Sequence, residues 1–560
     1  MVPGKLKDPN LRWWLTVGAA LALAIVVVVG GWRAYSRWNV NHLVGIGRNL
    51  LASGDQRGAA IALQRALQID PAHVGANRGM AELTEKLGLA TSLDWRRAVV
   101  ELGPAATPDA LALAKTALTQ RQTGLAQQAL AQVGTEAQAG AEFYTLSGVT
   151  AISAGNFKEA EKNFELAARA DPQNPAVKYN LAAAQVQSPD AAKRQAGAAT
   201  LAELAGSGQL EVVSRRSLIT RLLREKKMDE ALRWSTELQN APGVEFRDRL
   251  MHLSLLRALN KPEITEAITV AETAARTAGP DDVAALINWR RSIGEPKEAL
   301  RWVESLDAKL VADPQVSAAR AECLAAMQDW AALQVASENG TWGEHEYRRL
   351  GFLALASREQ GDVPSSRAHW NAALNEAGKS RTTLSQLAWM ASQWGWTDEL
   401  KALLWVAADQ PNPSWALQML HRLYLAERDT ASMLRTAEKA LQIDPKSANA
   451  RNNVALLSLL LGRNPEESAR VARELHESAP ENASFASTHA LALHLSGRTA
   501  EGRAVIEKLK PEQLQEPSVA AYYAILLAAS GSDVQPYLKL AQAAPLLPEE
   551  RALLESRAAR

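Results

Sequence analysis

Nine histidines and one cysteine, Cys323, are the side chains of this 560-residue sequence best suited to hold a metal or act as nucleophiles. Their spacing assembles neither chemistry. A lone cysteine excludes a disulfide within the chain and any cage of several thiolates, and it leaves the redox compartment open. The stretch "GEHEYRR" around His345 lacks a second histidine at ligand spacing, so a solvated loop is expected there and not a zinc site. No GxxxxGK[ST] phosphate loop, GxSxG elbow, HExxH or CxxC pair occurs. The expectation is a protein that is not an enzyme and has neither metal nor cofactor.

Charge narrows the partners further. The 62 Lys+Arg residues face 61 Asp+Glu, a net charge of +1, and the signs are mixed along the chain. A nucleic-acid binder needs a concentrated basic face, and none is visible. The densest basic run, Arg215–Lys227 in "RRSLITRLLREKK", is interrupted by apolar residues at helical spacing, which predicts the solvated side of a helix.

The elements that must carry the remaining side chains are nearly all helical. Alanine and leucine dominate, strand-favouring clusters are scarce after the first thirty or so residues, and apolar residues recur at three and four. One segment stands apart: "WWLTVGAALALAIVVVVGGW", Trp13–Trp32, is uncharged and has the length of about 20 residues that crosses a bilayer as a helix. Trp13, Trp14 and Trp32 stand where an aromatic belt meets the two headgroup layers. Lys5, Lys7 and Arg12 precede it as they would in a cleaved signal peptide, but Arg33 and Arg37 follow where a small-residue cleavage site belongs. An uncleaved transmembrane anchor is predicted. Positive charge flanks it on both sides, so the short basic head decides the orientation, with residues 1–12 cytoplasmic and the body outside.

The body keeps a beat. The hexapeptide "ALQIDP" occurs at Ala66–Pro71 and at Ala440–Pro445, about eleven periods of 34 apart. With Pro71 as position 32 of its unit, Gly47 falls at 8, Gly54 at 15, Ala59 at 20, Leu63 at 24 and Ala66 at 27; Gly148, Gly155, Ala160, Phe164, Ala167 and Pro172 repeat the series. Small residues at 8, 20 and 27 let helix axes approach closely. Gly54 can end a helix in the left-handed conformation, and Pro71 can open the next helix but not continue the last. Position 8 then runs Gly47, Ala81, Ala114, Gly148, Ala182, Ile219, Leu255, Ile287, Ala321, Ala354, Ala388, His421, Ala455, Ala490 and Ala524. His421 and Met433, at positions 8 and 20, are larger than the pattern prefers.

This series resembles the tetratricopeptide repeat, whose signature is small residues at 8, 20 and 27, a turn near 15 and proline at 32. The resemblance covers nearly everything from Asn41 onward and implies an all-α solenoid, a superhelix of helical hairpins, after one transmembrane helix. The expected organisation is a head at 1–12, a span at 13–32, repeats at 41–186, degenerate helical repeats at 187–340, repeats at 341–548 and a capping helix at 549–560, where Glu549 and Glu550 suit the positive end of the helix dipole.

In such proteins the first helix of each hairpin lines a concave groove, typically through positions 2, 5, 6, 9 and 12. Asn180 and Asn453 fall at position 6, where the resemblance implies an asparagine that can hold the backbone of an extended ligand. Trp389 at position 9 and Trp415 at position 2 are candidate aromatic anchors, with Arg422 beside the second, while Trp394, Trp396 and Trp405 are expected to fill space between helices. No unit assembles the lysines and asparagines of the family's carboxylate clamp. The resulting expectation is a bacterial inner-membrane protein, single-pass and with periplasmic repeats. It would scaffold other proteins in biogenesis, secretion or polysaccharide export; the alternative is a regulatory or glycan-binding partner of an envelope polysaccharide enzyme.

Overall fold

A computed structural model describes residues 9–103, 107–134, 137–206, 208–340, 342–378 and 380–558, with the side chains of Trp13 and of 27–555 within those limits. Among the described residues every regular element is a helix. The chain divides into two compact units, Met1–Ala271 and Glu272–Arg560. Their boundary falls inside the segment expected to be degenerate.

Within each unit, antiparallel helical hairpins follow one another, and the reason lies in two recurring positions. Position 8 is buried in every unit from Gly47 to Ala524 apart from His421, which is half-buried. Gly148 shows why it must be small: a Cβ there would lie 2.5 Å from Phe164 Cε1, and one at Gly47 would lie 2.8 Å from Leu63 Cγ. Seven residues later the backbone turns left-handed. Gly54, Gly155, Gly361 and Gly497 do this at no steric cost, whereas Arg121 (φ 58°), Lys226 (φ 60°), Gln328 (φ 57°) and Arg428 (φ 56°) adopt the same conformation against the strain of their Cβ.

The next residue caps the second helix. Asp55 accepts a hydrogen bond from the Gly58 backbone N–H at 2.8 Å, Asp329 from Ala332 at 3.1 Å and Asp429 from Ser432 at 3.0 Å. Such a cap satisfies one of the four donors a helix start leaves unpaired.

The two hexapeptides end their helices alike. Asp70 and Asp444 leave the helix with φ/ψ of −139°/92° and −128°/87°, each donating its N–H to the alanine four residues back. Pro71 sits in the turn that follows and does not open the next helix as expected. Helix Val74–Lys86 starts later, after His73, whose Nδ1 accepts from the Ala76 N–H. In the unit of Pro172 it is Pro175 that takes the first helical position.

Two corrections of phase come from the middle of the chain. The left-handed residue there is Asn260, which makes Leu253 and not Leu255 the position-8 residue. After Ala182 the turn is longer, and Gly197 supplies the close approach, its Cβ site lying 2.7 Å from Ala182 O. Hairpins nevertheless continue through 187–340.

In the first unit the core is a series of small clusters, such as Leu51, Ala59, Leu63, Met80 and Leu83 and, later, Ile219, Leu222, Ala231, Leu238 and Leu255. Neighbouring hairpins are also pinned by charge. Arg78 forms two parallel bonds to Asp109 (2.8 and 2.6 Å), and Arg216 repeats them on Asp248 (2.8 and 2.6 Å). In the second unit a larger cluster runs from Ala318 to Leu457 and also takes in Leu547.

The predicted head lies mostly outside the described residues, and so do the side chains of 14–26, Trp14 among them. The backbone from Pro9 to Ser53 is one helix of 45 residues that ends as the first helix of the first hairpin. Among the described residues no helix is long and apolar enough to cross a membrane.

Candidate functional site

In the second unit, first helices of successive hairpins stand side by side: Pro280–Ser292, Pro314–Ala326, Glu346–Glu359 and Arg381–Gln393. Helical spacing brings one stripe of each to a common face. Arg291, Glu322, Leu355, Glu359 and Trp389 from that stripe line a cleft of about 390 Å³. Its electrostatics are set by Glu322, which pairs with Arg291 at 2.8 Å and with Arg348 of the next hairpin. One carboxylate thus joins three helices.

Trp389 is 53% exposed in this cleft, an orientation that leaves most of an indole open to a partner. Trp394 shares the cleft but belongs to the aromatic packing beneath it, with ring centroids 5.1 Å from Trp396 and 5.9 Å from Phe352. Trp405 is likewise committed, donating its indole N–H to the Tyr424 hydroxyl at 3.0 Å beneath the Arg435 guanidinium, 4.2 Å from the ring centroid. These three fill space between helices.

The other sequence-derived residues are distributed. Trp415 is half-buried against the main cluster and Arg422 is exposed. Asn453 lines a separate cleft with His421. Asn180, half-buried on helix Pro175–Gln185, belongs to the other unit. Arg291, Glu322 and Arg348 escaped sequence reasoning because no motif marks them; their alternation of charge at groove positions was the one available signal.

His345 corrects an expectation. It sits in a short 3₁₀ turn, its side chain only 16% exposed, so the loop is not solvated there. Burial, then the Arg348 cation, holds the imidazole below its ordinary pKa. Among the described residues no cluster of His, Cys, Asp or Glu is placed to hold a metal ion. Cys323 is buried, and burial pushes its thiol up to about 12, far from the thiolate that nucleophilic attack requires. Several cations of the basic run Arg215–Lys227 are paired locally: Arg215 with Glu211, Arg221 and Lys227 with Glu225, and Arg216 with Asp248.

The fold and this groove define an α-solenoid of helical hairpins. Within it, residues 141–174 match the tetratricopeptide repeat. No curated protein matches it significantly. Solved structures that resemble it include the APC/C hetero-tetramer Cut9–Hcn1, at 12% identity over 83% of this chain and 99% of that chain with a TM-score of 0.29. Pseudomonas aeruginosa pilF gives 13% identity over 43% of this chain and 93% of that one, TM-score 0.26. A tetratricopeptide repeat protein from Parabacteroides merdae ATCC 43184 gives 19% over 44% and 98%, TM-score 0.26. At TM-scores this low, no property of those proteins is carried to this chain.

Proposed function

We propose that this chain is a membrane-anchored scaffold of the bacterial cell envelope, binding segments of other proteins in its groove to assemble or regulate a complex in biogenesis, secretion or polysaccharide export. Its work is binding and not catalysis, and it takes no cofactor. The observation that carries this reading is the open indole of Trp389 in a cleft walled by successive first helices. Large aromatic side chains in such places dominate binding energy at protein interfaces.

The anchor is assigned to residues 13–32, inserted with the head in the cytoplasm and the repeats in the periplasm. Its support is the uncharged length of the segment together with the exposure of Val27, Val28 and Trp32 (65%, 69% and 68%) on helix Pro9–Ser53. Apolar side chains left open in a row are what a lipid phase covers.

Trp389→Ala in the full-length chain, with capture of partners from native membranes, tests the groove. Selective loss of a captured protein, with the thermal melt unchanged, is expected; an unaltered set of partners rejects the assignment. Alkaline phosphatase fused to the carboxyl terminus is expected to be active and a fluorescent protein dark; the reverse pattern rejects the orientation.

A second reading keeps the same cleft. Glu322 and Glu359 beside an exposed tryptophan also suit a sugar ring, which stacks on the indole while its hydroxyls donate to carboxylates. Quenching of tryptophan fluorescence by envelope oligosaccharides, lost in the Trp389→Ala chain, would favour a glycan-binding partner of a polysaccharide enzyme.

A further inference from the structure

After helix Gln535–Ala543 the chain adds no further hairpin among the described residues. It leaves that helix at Ala544 with extended backbone (φ −76°, ψ 145°), stays non-helical through Pro545, Leu546 and Leu547, and enters helix Pro548–Ala558. Leu546 and Leu547 are 7% and 4% exposed. They help to close a cleft of about 280 Å³ with Leu425, Asn453, Leu456 and Tyr522. Those four come from the first helices Ser414–Glu427, Ala448–Leu460 and Pro517–Ala529 and fall at repeat positions 12, 6, 9 and 6. They are groove positions, so the chain's own tail lies in the groove.

Polar anchors follow the leucines. The Thr430 hydroxyl donates to Glu549 Oε2 at 2.5 Å, across 119 residues of chain, and the Tyr522 hydroxyl donates to Glu550, whose other oxygen accepts the Leu547 N–H at 2.8 Å. Both glutamates stand in the first turn of helix Pro548–Ala558, as the dipole expectation has it, and each also takes a hydroxyl from elsewhere: Glu549 that of Thr430 at the start of helix Thr430–Ile443, and Glu550 that of Tyr522 in the groove. Two adjacent apolar anchors followed by two carboxylates, seated by side chains of separate hairpins, make the pattern of a linear peptide in a receptor.

We propose that the groove between helices Ser414–Glu427 and Pro517–Ala529 is a binding site for a partner-protein segment with two adjacent leucines followed by two acidic residues, and that Ala544–Glu550 occupies it as a tethered copy of that ligand. This rests on the reading that the groove takes protein segments. A tether gives the internal copy an effective concentration on the order of millimolar. A free segment must therefore outcompete the tail, which silences the site until a tighter or locally concentrated partner arrives.

The test uses a fluorescent peptide of residues 543–555 and the full-length chain in detergent. Leu546→Asp with Leu547→Asp places charges where the tail seats and is expected to release it. Peptide affinity by anisotropy should then be at least tenfold higher for this double variant than for the unaltered chain, and Tyr522→Phe in the same background should weaken it again. Equal affinities in the two chains overturn the proposal. If the double variant melts early, Glu549→Gln with Glu550→Gln keeps the leucines and is read by amide exchange. Exchange at 546–550 much faster than at Val519–Leu527 is expected, and exchange as slow as that core helix overturns it. The peptide assay uses no natural partner and leaves Trp389 intact, so its failure is separable from failure of the Trp389 assignment.

Discussion

Gly148 is where one missing methyl group fixes the distance between two helices. A Cβ would enter the space of Phe164, itself 1% exposed, so neither side can yield cheaply. Gly148→Ala is expected to cost about 1–3 kcal/mol, read as a lowered denaturant midpoint, and a midpoint unchanged from the parent would refute the close approach. Arg428 presents the opposite case. It is exposed and left-handed, a conformation that costs an L-residue about 1–2 kcal/mol. Replacing it with glycine returns that strain less the greater freedom of glycine when unfolded, so Arg428→Gly is expected to stabilise by about 0.5–1 kcal/mol; destabilisation would show that the arginine side chain contributes more than its backbone costs. Position 8 was legible in sequence where a glycine or alanine holds it, because there size alone selects the residue; at Leu253 it was not. The left-handed arginine, lysine and glutamine positions were not, since nothing in those side chains announces the turn that the hairpin imposes on them.

At the scale of elements, the bidentate pairs Arg78–Asp109 and Arg216–Asp248 tie the first helix of one hairpin to the first helix of the next. Asp248 is 3% exposed, and Arg216 is also 3.0 Å from Glu245. Burial pulls the Asp248 pKa upward, but bonds from Arg216 and the Glu245 N–H together outweigh it and hold the carboxyl below its ordinary value. A depressed carboxyl contributes stability above the unfolded value of about 3.9, and that contribution disappears as pH falls through the lower folded value. Asp248→Asn is expected to cost about 1–3 kcal/mol at neutral pH and to flatten the loss of stability seen in the parent below about pH 4. A parallel offset between the two acid curves would mean that the pair is not what titrates. The pairs also explain why phase was misread here. Leu255 satisfies the hydrophobic pattern as well as Leu253 does, and only the left-handed Asn260 and the matching Arg–Asp register distinguish them. The tail in the groove was beyond sequence reading altogether, because a contact such as Thr430 with Glu549 obeys no period.

For the whole molecule, the fold was legible as a repeat because each hairpin meets the same physical demands as its neighbours. The groove was legible only as a set of positions: sequence proposed Trp389 and Trp415 together, yet one is open and the other half-buried. Which groove position faces solvent depends on packing that the repeat pattern does not specify, such as the Trp394–Trp396–Phe352 contacts beside Trp389.

The unbroken helix Pro9–Ser53 has a consequence for timing in space. With the proposed anchor in the bilayer, the first hairpin is geared to the membrane without a hinge, so its azimuth is set by residue count. Each residue added between Trp32 and Val40 would turn that hairpin by about 100° and raise it by about 1.5 Å. Insertions of alanines there should make capture of a membrane-embedded partner rise and fall with helical periodicity, poor at two added residues and recovered near four. A smooth decline with length would mean that the helix does not act as a shaft.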